Sequence, residues 1–239
     1  MVTITIDGKQ IKTEEGQNVL QVALDNGINI PHLCYHENLS FYGGCRLCLV
    51  EVTKANRTRL TASCTYPALE GITVETNTEN VKKARRLVME MILPMAPDSP
   101  KLQALASELG ITEPRFHYED PDGCINCGLC VRACEELVSA NAITLANRGD
   151  TRSIEPPFQE EPLACIGCAA CLYVCPTDCI KMEEKGNERR IVRWERKLEM
   201  KTCANCKRHF MPLAQIEFAM HKVREPLDAG WFDNCPDCR

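Results

Sequence analysis

Two stretches, CINCGLCVRAC and CIGCAACLYVC, constrain this chain more than anything else in its 239 residues. Cys124, Cys127, Cys130 and Cys134 stand at C-x2-C-x2-C-x3-C spacing; Cys165, Cys168, Cys171 and Cys175 repeat it 41 residues later, followed by Pro176. Three thiols at successive x2 steps converge from a tight loop on one cubane cluster, and the fourth, at the start of the next helix, faces the other cluster. The spacing therefore assigns Cys124, Cys127, Cys130 and Cys175 to one [4Fe–4S] cluster, and Cys165, Cys168, Cys171 and Cys134 to a second. Two zinc loops or a disulfide framework are the competing readings, but a tetrahedral zinc loop has no use for the third x2 step.

Cysteine is the compositional outlier, at 17 residues. The opening MVTITIDGKQ lacks a basic segment leading into an apolar one, so no signal peptide is expected. Unexported, this many thiols point to metal ligation in a reducing compartment, and a cytoplasmic protein is the expectation. The longest apolar run, 87–96, is interrupted by Glu90 and Pro94 and is too short to span a bilayer. The formal net charge is −5, and each four-thiolate site holding a dicationic centre adds about −2. Such acidity argues against nucleic acid as a partner.

From the N-terminus, 2–6 alternates apolar and β-branched residues, Asp7-Gly8 signals a turn, and 10–13 reads as the returning strand. Residues 18–26 have the periodicity of an amphipathic helix closed by Gly27. Strands follow at 49–53, 59–62 and 72–75, and this order predicts a β-grasp ferredoxin fold. Cys34, Cys45, Cys48 and Cys64 lie along it, the middle pair in a loop opened by Gly43-Gly44. Plant-type ferredoxins use C-x4-C-x2-C with a distant fourth ligand; here the first gap is wider, but a [2Fe–2S] cluster is favoured over zinc. With four thiols present, His32 and His36 read as structural groups.

Residues 79–118 hold no cysteine. A helix is predicted over 79–93, with Val81, Ala84, Leu87, Val88, Met91 and Ile92 as its apolar positions and Pro94 and Pro97 ending it. Ser99 and Pro100 then read as N-cap and first turn of a second helix, lined by Leu102, Leu105, Ala106 and Leu109 and closed by Gly110. Met89, Met91 and Met95 read as core. Between the two cubane runs, 144–157 looks like a hairpin turning at Gly149-Asp150. Cys179 is an unmatched thiol, read as a small buried residue beside a cluster. The charged stretch 185–197 reads as a surface hairpin, solvated or facing a partner. Cys203, Cys206, Cys235 and Cys238 form C-x2-C-x28-C-x2-C around a helix-like 212–223, the pattern of a zinc ribbon. Structural zinc is favoured; an Fe–S cluster or a single iron satisfies the same thiolates.

The fold class is thus α+β in four parts: 1–78 a β-grasp [2Fe–2S] domain, 79–118 a helical linker, 119–190 a bacterial-type double [4Fe–4S] ferredoxin domain, and 191–239 a small four-cysteine ribbon. This order resembles the N-terminal part of the large iron–sulfur subunit of respiratory complex I. It also resembles the small diaphorase iron–sulfur subunit of NAD-linked hydrogenases and the N-terminal region of multi-cluster FeFe hydrogenases. Cys34, the loop Gly43-Gly44-Cys45-Arg46-Leu47-Cys48, Ala84-Arg85-Arg86 and 124–136 carry the likeness. In those relatives a His-x3-C-x2-C-x5-C site follows the linker helix. Here LPMAPDSPKLQALASELG has neither histidine nor cysteine, so that cluster is expected to be absent.

The resemblance implies an electron relay inside an oxidoreductase complex, between a flavin- and NAD-binding subunit and a catalytic subunit for hydrogen, formate or another low-potential couple. No acid–base pair, nucleophile or phosphate-cradling loop is visible, so no catalytic site of its own is expected. A free multi-cluster ferredoxin is the second reading, and a metal- or redox-sensing regulator the third.

Overall fold

The computed structural model describes residues 1–223 and 229–239, so residues 224–228 of the expected tail fall outside it. The chain divides into two units, Met1–Leu129 and Cys130–Arg239. In the first, β1 (Val2–Ile6) and β2 (Lys9–Thr13) form the expected hairpin, and α1 (Val19–Asp25) follows. The Asn18 side chain caps α1 by accepting from Gln21 N at 2.8 Å, satisfying one of the helix's orphan donors. β3 (Leu49–Lys54), β4 (Arg57–Ala62) and β5 (Thr73–Glu75) complete a mixed sheet in the order β2-β1-β5-β3-β4. The β1–β5 pair is parallel, the others antiparallel. Ile4, Ile6, Val50, Val52 and Val74 bury one sheet face with Val19, Leu20 and Val22 of α1. The Asp7 carboxylate accepts from Thr76 N at 2.7 Å and Thr76 Oγ1 at 2.6 Å, tying the hairpin turn to the end of β5.

α2 (Glu79–Ile92) is capped by Thr78, and a turn through Pro94 leads to α3 (Pro100–Glu108). Here the sequence expectation needs two corrections. The buried side chains of α2 are Val81, Arg85, Met89 and Glu90, whereas Leu87 and Met91 are 45% and 56% exposed. The helix is turned by polar contacts: Arg85 donates from Nε and Nη2 to the Leu49 carbonyl at 3.1 and 2.7 Å. Glu90 accepts from Arg115 Nε at 2.6 Å and from Arg86 Nε at 3.3 Å. Ser99 occupies the N-cap position of α3, but its hydroxyl is buried without a capping bond.

At the start of the second unit, α4 (Leu129–Arg132) widens into a π-helical turn over Ala133–Leu137, with Val138 N bonded to Ala133 O at 3.2 Å. β6 (Thr144–Ala146) and β7 (Ser153–Glu155) form the expected hairpin, and α5 (Ala170–Tyr173) follows the second cysteine loop. β8 (Met182–Lys185), β9 (Glu188–Ile191), β10 (Arg196–Thr202) and β11 (His209–Pro212) then form one antiparallel sheet in the order β11-β10-β9-β8. α6 (Leu213–Lys222) follows β11. The 185–197 stretch turns as a hairpin at Gly186-Asn187 and most of it is exposed or half-buried, but Ile191 and Trp194 within it are buried, as are Leu198 and Met200 beyond it. One face of the sheet is core, as the alternation of Leu198 and Met200 with Lys197, Glu199 and Lys201 allows. Among the described residues, no helix is long and apolar enough to cross a membrane.

Candidate metal centres

In the first unit, loops place Cys34, Cys45, Cys48 and Cys64 in the interior, each at most 9% exposed. Gly44 allows the tight approach of the loop: a Cβ there would stand 2.3 Å from the Tyr42 ring. Cys45 N donates to Cys34 Sγ at 3.3 Å, and the Ser63 hydroxyl donates to the Cys48 carbonyl at 2.8 Å. The thiols associate in two pairs. Hydrogen bonding to Cys34 lowers Cys45 to about 6 and drives Cys34 upward. Hydrogen bonding to Cys64 lowers Cys48 to about 7 and raises Cys64. His32 donates from Nδ1 to the Ile30 carbonyl at 2.8 Å, and His36 Nδ1 accepts from Asn38 N at 3.2 Å. Both imidazoles thus engage the backbone. Arg85, 6% exposed, is lowered to about 10 by burial, opposed by the charges of Cys48 and Asp7. Four buried soft donors beside a buried cation suit an anionic iron–sulfur group.

In the second unit, Cys134, Cys165, Cys168 and Cys171 line one cavity, although Cys134 comes from the first cysteine run and the others from the second. Cys134 is carried on the π-helical turn, a feature that often marks functional positions, and its sulfur accepts from Ala142 N at 3.3 Å. The rest of the wall is apolar side chains, Ile143, Ile166 and Ile191 among them, together with Trp194. Burial raises the Cys134 and Cys165 thiols and pushes Cys171 up to about 12. A pocket lined by four cysteines and otherwise apolar side chains has the donor chemistry of a cluster site. The remaining predicted set is divided by chain position, with Cys124 and Cys127 in the first unit and Cys130 and Cys175 in the second. Cys179 Sγ lies 3.6 Å from Cys175 Sγ and is half-buried.

The tail cysteines gather most closely: one sulfur each from Cys203, Cys206, Cys235 and Cys238 lie within 4.8 Å of one another. Cys206 and Cys235 are 3.7 Å apart, close to the edge of about 3.8 Å expected for thiolates about 2.3 Å from one tetrahedral metal. Cys235 N donates to Cys203 Sγ at 3.3 Å and is the main reason the Cys203 thiol falls to about 6. Against the cost of burial, the Arg208 guanidinium, 3.4 Å from its sulfur, lowers the Cys235 thiol.

The first two cysteine regions resemble domains of known proteins. A 2Fe-2S iron-sulfur cluster binding domain model matches residues 1–79, and a 4Fe-4S dicluster domain model matches 119–182. A chain in the crystal structure of NAD+-reducing [NiFe]-hydrogenase in the H2-reduced state shares 34% identity and a TM-score of 0.58, covering 65% of this chain and 74% of that one. This chain belongs to the same iron–sulfur family. Family relatives include the NADP-reducing hydrogenase subunit HndD of Solidesulfovibrio fructosivorans, 34% identical over 77% of this chain and 36% of that protein. The NADH-ubiquinone oxidoreductase 75 kDa subunit of Reclinomonas americana is 35% identical over 67% of this chain and 26% of its own length. The chain thus spans well under half of these two curated relatives.

Sequence reasoning missed the residues that grip the second cysteine loop. Arg189 Nη1 donates to the Gly167 carbonyl at 2.8 Å, and Arg196 Nε to the Cys165 carbonyl at 3.2 Å. Nothing in the local pattern marks either arginine, because the contacts span 22 and 31 residues. Trp194 carried a weak signal, as an aromatic ring inside an otherwise charged run.

Proposed function

We propose that this chain is an electron-relay subunit that passes electrons through one [2Fe–2S] and two [4Fe–4S] clusters. Its partners in this reading are a flavin- and NAD-binding subunit and a catalytic low-potential oxidoreductase subunit, in a cytoplasmic complex. The observation that carries the proposal is the meeting of Cys134 with Cys165, Cys168 and Cys171 around one apolar cavity. That exchange of a ligand between the repeats is what the double spacing demands. By the same spacing, Cys124, Cys127, Cys130 and Cys175 hold the other cubane. The first sheet with its crossing helix fits a β-grasp module, and the expected divisions at 78/79, 118/119 and 190/191 follow the cysteine sets. Bound clusters supply one-electron storage; the chain's own residues exclude water, hold the sulfurs and set the local field.

The tail group fits a single metal. A cubane separates its four thiolates with four irons, whereas these sulfurs lie within 4.8 Å of one another. We assign a single metal to Cys203, Cys206, Cys235 and Cys238, structural zinc in preference to a lone iron that the same geometry would hold, closing a small ribbon.

Anaerobically purified protein should carry about ten iron and one zinc per chain, the sum of the ligand sets. NADH plus the cognate flavoprotein should reduce the clusters. Full cluster loading without reduction by any flavoprotein partner would exclude the relay and leave a free carrier.

A further inference from the structure

Trp194 presents a polar group that the fold leaves unanswered. The residue is 4% exposed, and its indole N–H is buried with no formed hydrogen bond. Buried donors are rarely left in that state, so such a group calls for a partner. Trp194 lines the cavity of Cys134, Cys165, Cys168 and Cys171, and the other side chains on that wall are apolar. Sulfur is the acceptor chemistry the side chains of this cavity offer.

The same sheet brings two guanidiniums to the loop. Arg189 and Arg196 hold the Gly167 and Cys165 carbonyls, and their side chains are only 14% and 15% exposed. Each is also paired with a carboxylate, Glu184 at 2.6 Å and Glu161 at 2.9 Å, while it is the guanidinium N–H that reaches the cysteine loop.

We infer that the β8–β10 segment sets the reduction potential of the cluster on Cys134, Cys165, Cys168 and Cys171, with Trp194 donating its indole N–H to a sulfur of that site. The inference rests on the ligand reading proposed above. Reduction adds one electron to the site, with no bond made or broken and no proton moved. The sulfurs become more negative and better acceptors, so an N–H donor and nearby cations stabilise the reduced form and raise the potential. Trp194 is a positioning and tuning residue, acting through a sulfur of the cavity.

The test is an anaerobic dithionite titration of the full chain, read by EPR, with the signal of this cluster assigned by its loss in Cys168→Ser. Trp194→Phe keeps an apolar ring and removes the donor. It should retain wild-type iron and sulfide and leave the [2Fe–2S] potential in place. At fixed poise, the ratio of reduced to oxidised cluster should fall at least tenfold, equivalent to about 59 mV for a one-electron couple. An exchangeable-proton coupling seen by ENDOR on the reduced wild-type cluster should vanish in the variant. An unchanged potential at full iron content overturns the inference, as does absence of that coupling from the wild type. Should Trp194→Phe fail to hold iron, Arg196→Gln reads the same quantity: a lowered potential supports the inference, and an unchanged one overturns it. Wild-type protein with about six iron and no signal assignable to Cys168 instead defeats the ligand reading itself.

Discussion

Gly167 offers a direct test of how the C-terminal sheet meets the second cysteine loop. Its φ is +70°, and a Cβ there would stand 2.5 Å from Leu198 Cδ1 and 3.1 Å from Pro212 Cγ. In Gly167→Ala the left-handed backbone costs about 1–2 kcal/mol. The less flexible unfolded chain returns about 0.4–1 kcal/mol of that. Overpacking adds about 1–3 kcal/mol, because Leu198 is buried and the proline ring cannot swing aside. The net loss centres on about 2–3 kcal/mol, or a fall of about 1–2 M in the urea midpoint for a typical slope. Gly149 is the internal control: its φ is +64°, yet nothing lies within 4 Å of its added Cβ, so Gly149→Ala reports the backbone part alone. Anaerobic urea titrations followed by cluster absorption and tryptophan fluorescence would compare the two. If Gly167→Ala unfolds at the same urea concentration as Gly149→Ala, Leu198 and Pro212 do not cover this loop, and the account of the sheet fails.

Two further outcomes follow from the same structure. Chelating the tail metal should speed proteolysis within 203–239, since β10 runs directly into Cys203 and β11 begins three residues after Cys206, while cluster absorption persists. Equal cleavage with and without metal would deny the four cysteines a structural role. Glu90 is held below the usual carboxylate range by Arg115 first and Arg86 second. Its ion pair therefore contributes fully above about pH 4.3 and is lost as pH falls through the lowered folded value. Glu90→Gln should lose that acid-side dependence, which thermal midpoints of wild type and variant between about pH 6 and pH 3.5 would reveal.

Much of the first unit was legible because its signals are local. The Asp7-Gly8 turn, the alternation in β1 and the apolar periodicity of α1 each act within a few residues. Apolar periodicity failed on α2, where Arg85 and Glu90 are buried and Leu87 and Met91 are not. There the orientation is decided by the Leu49 carbonyl and Arg115, 36 and 25 residues away from the side chains they bind.

The amino-acid sequence alone determined the number and spacing of the cysteine sets and which family to compare, because coordination fixes both the ligand type and the length of loop between ligands. Only the tertiary structure decided what surrounds them. It brought Cys134 beside the second cysteine run, closed the tail sulfurs to within 4.8 Å, and buried Trp194 of an otherwise charged stretch against the cavity that those cysteines line. Those results depend on which distant strands pair and which faces bury, and a sum over many weak contacts leaves no short pattern in the chain.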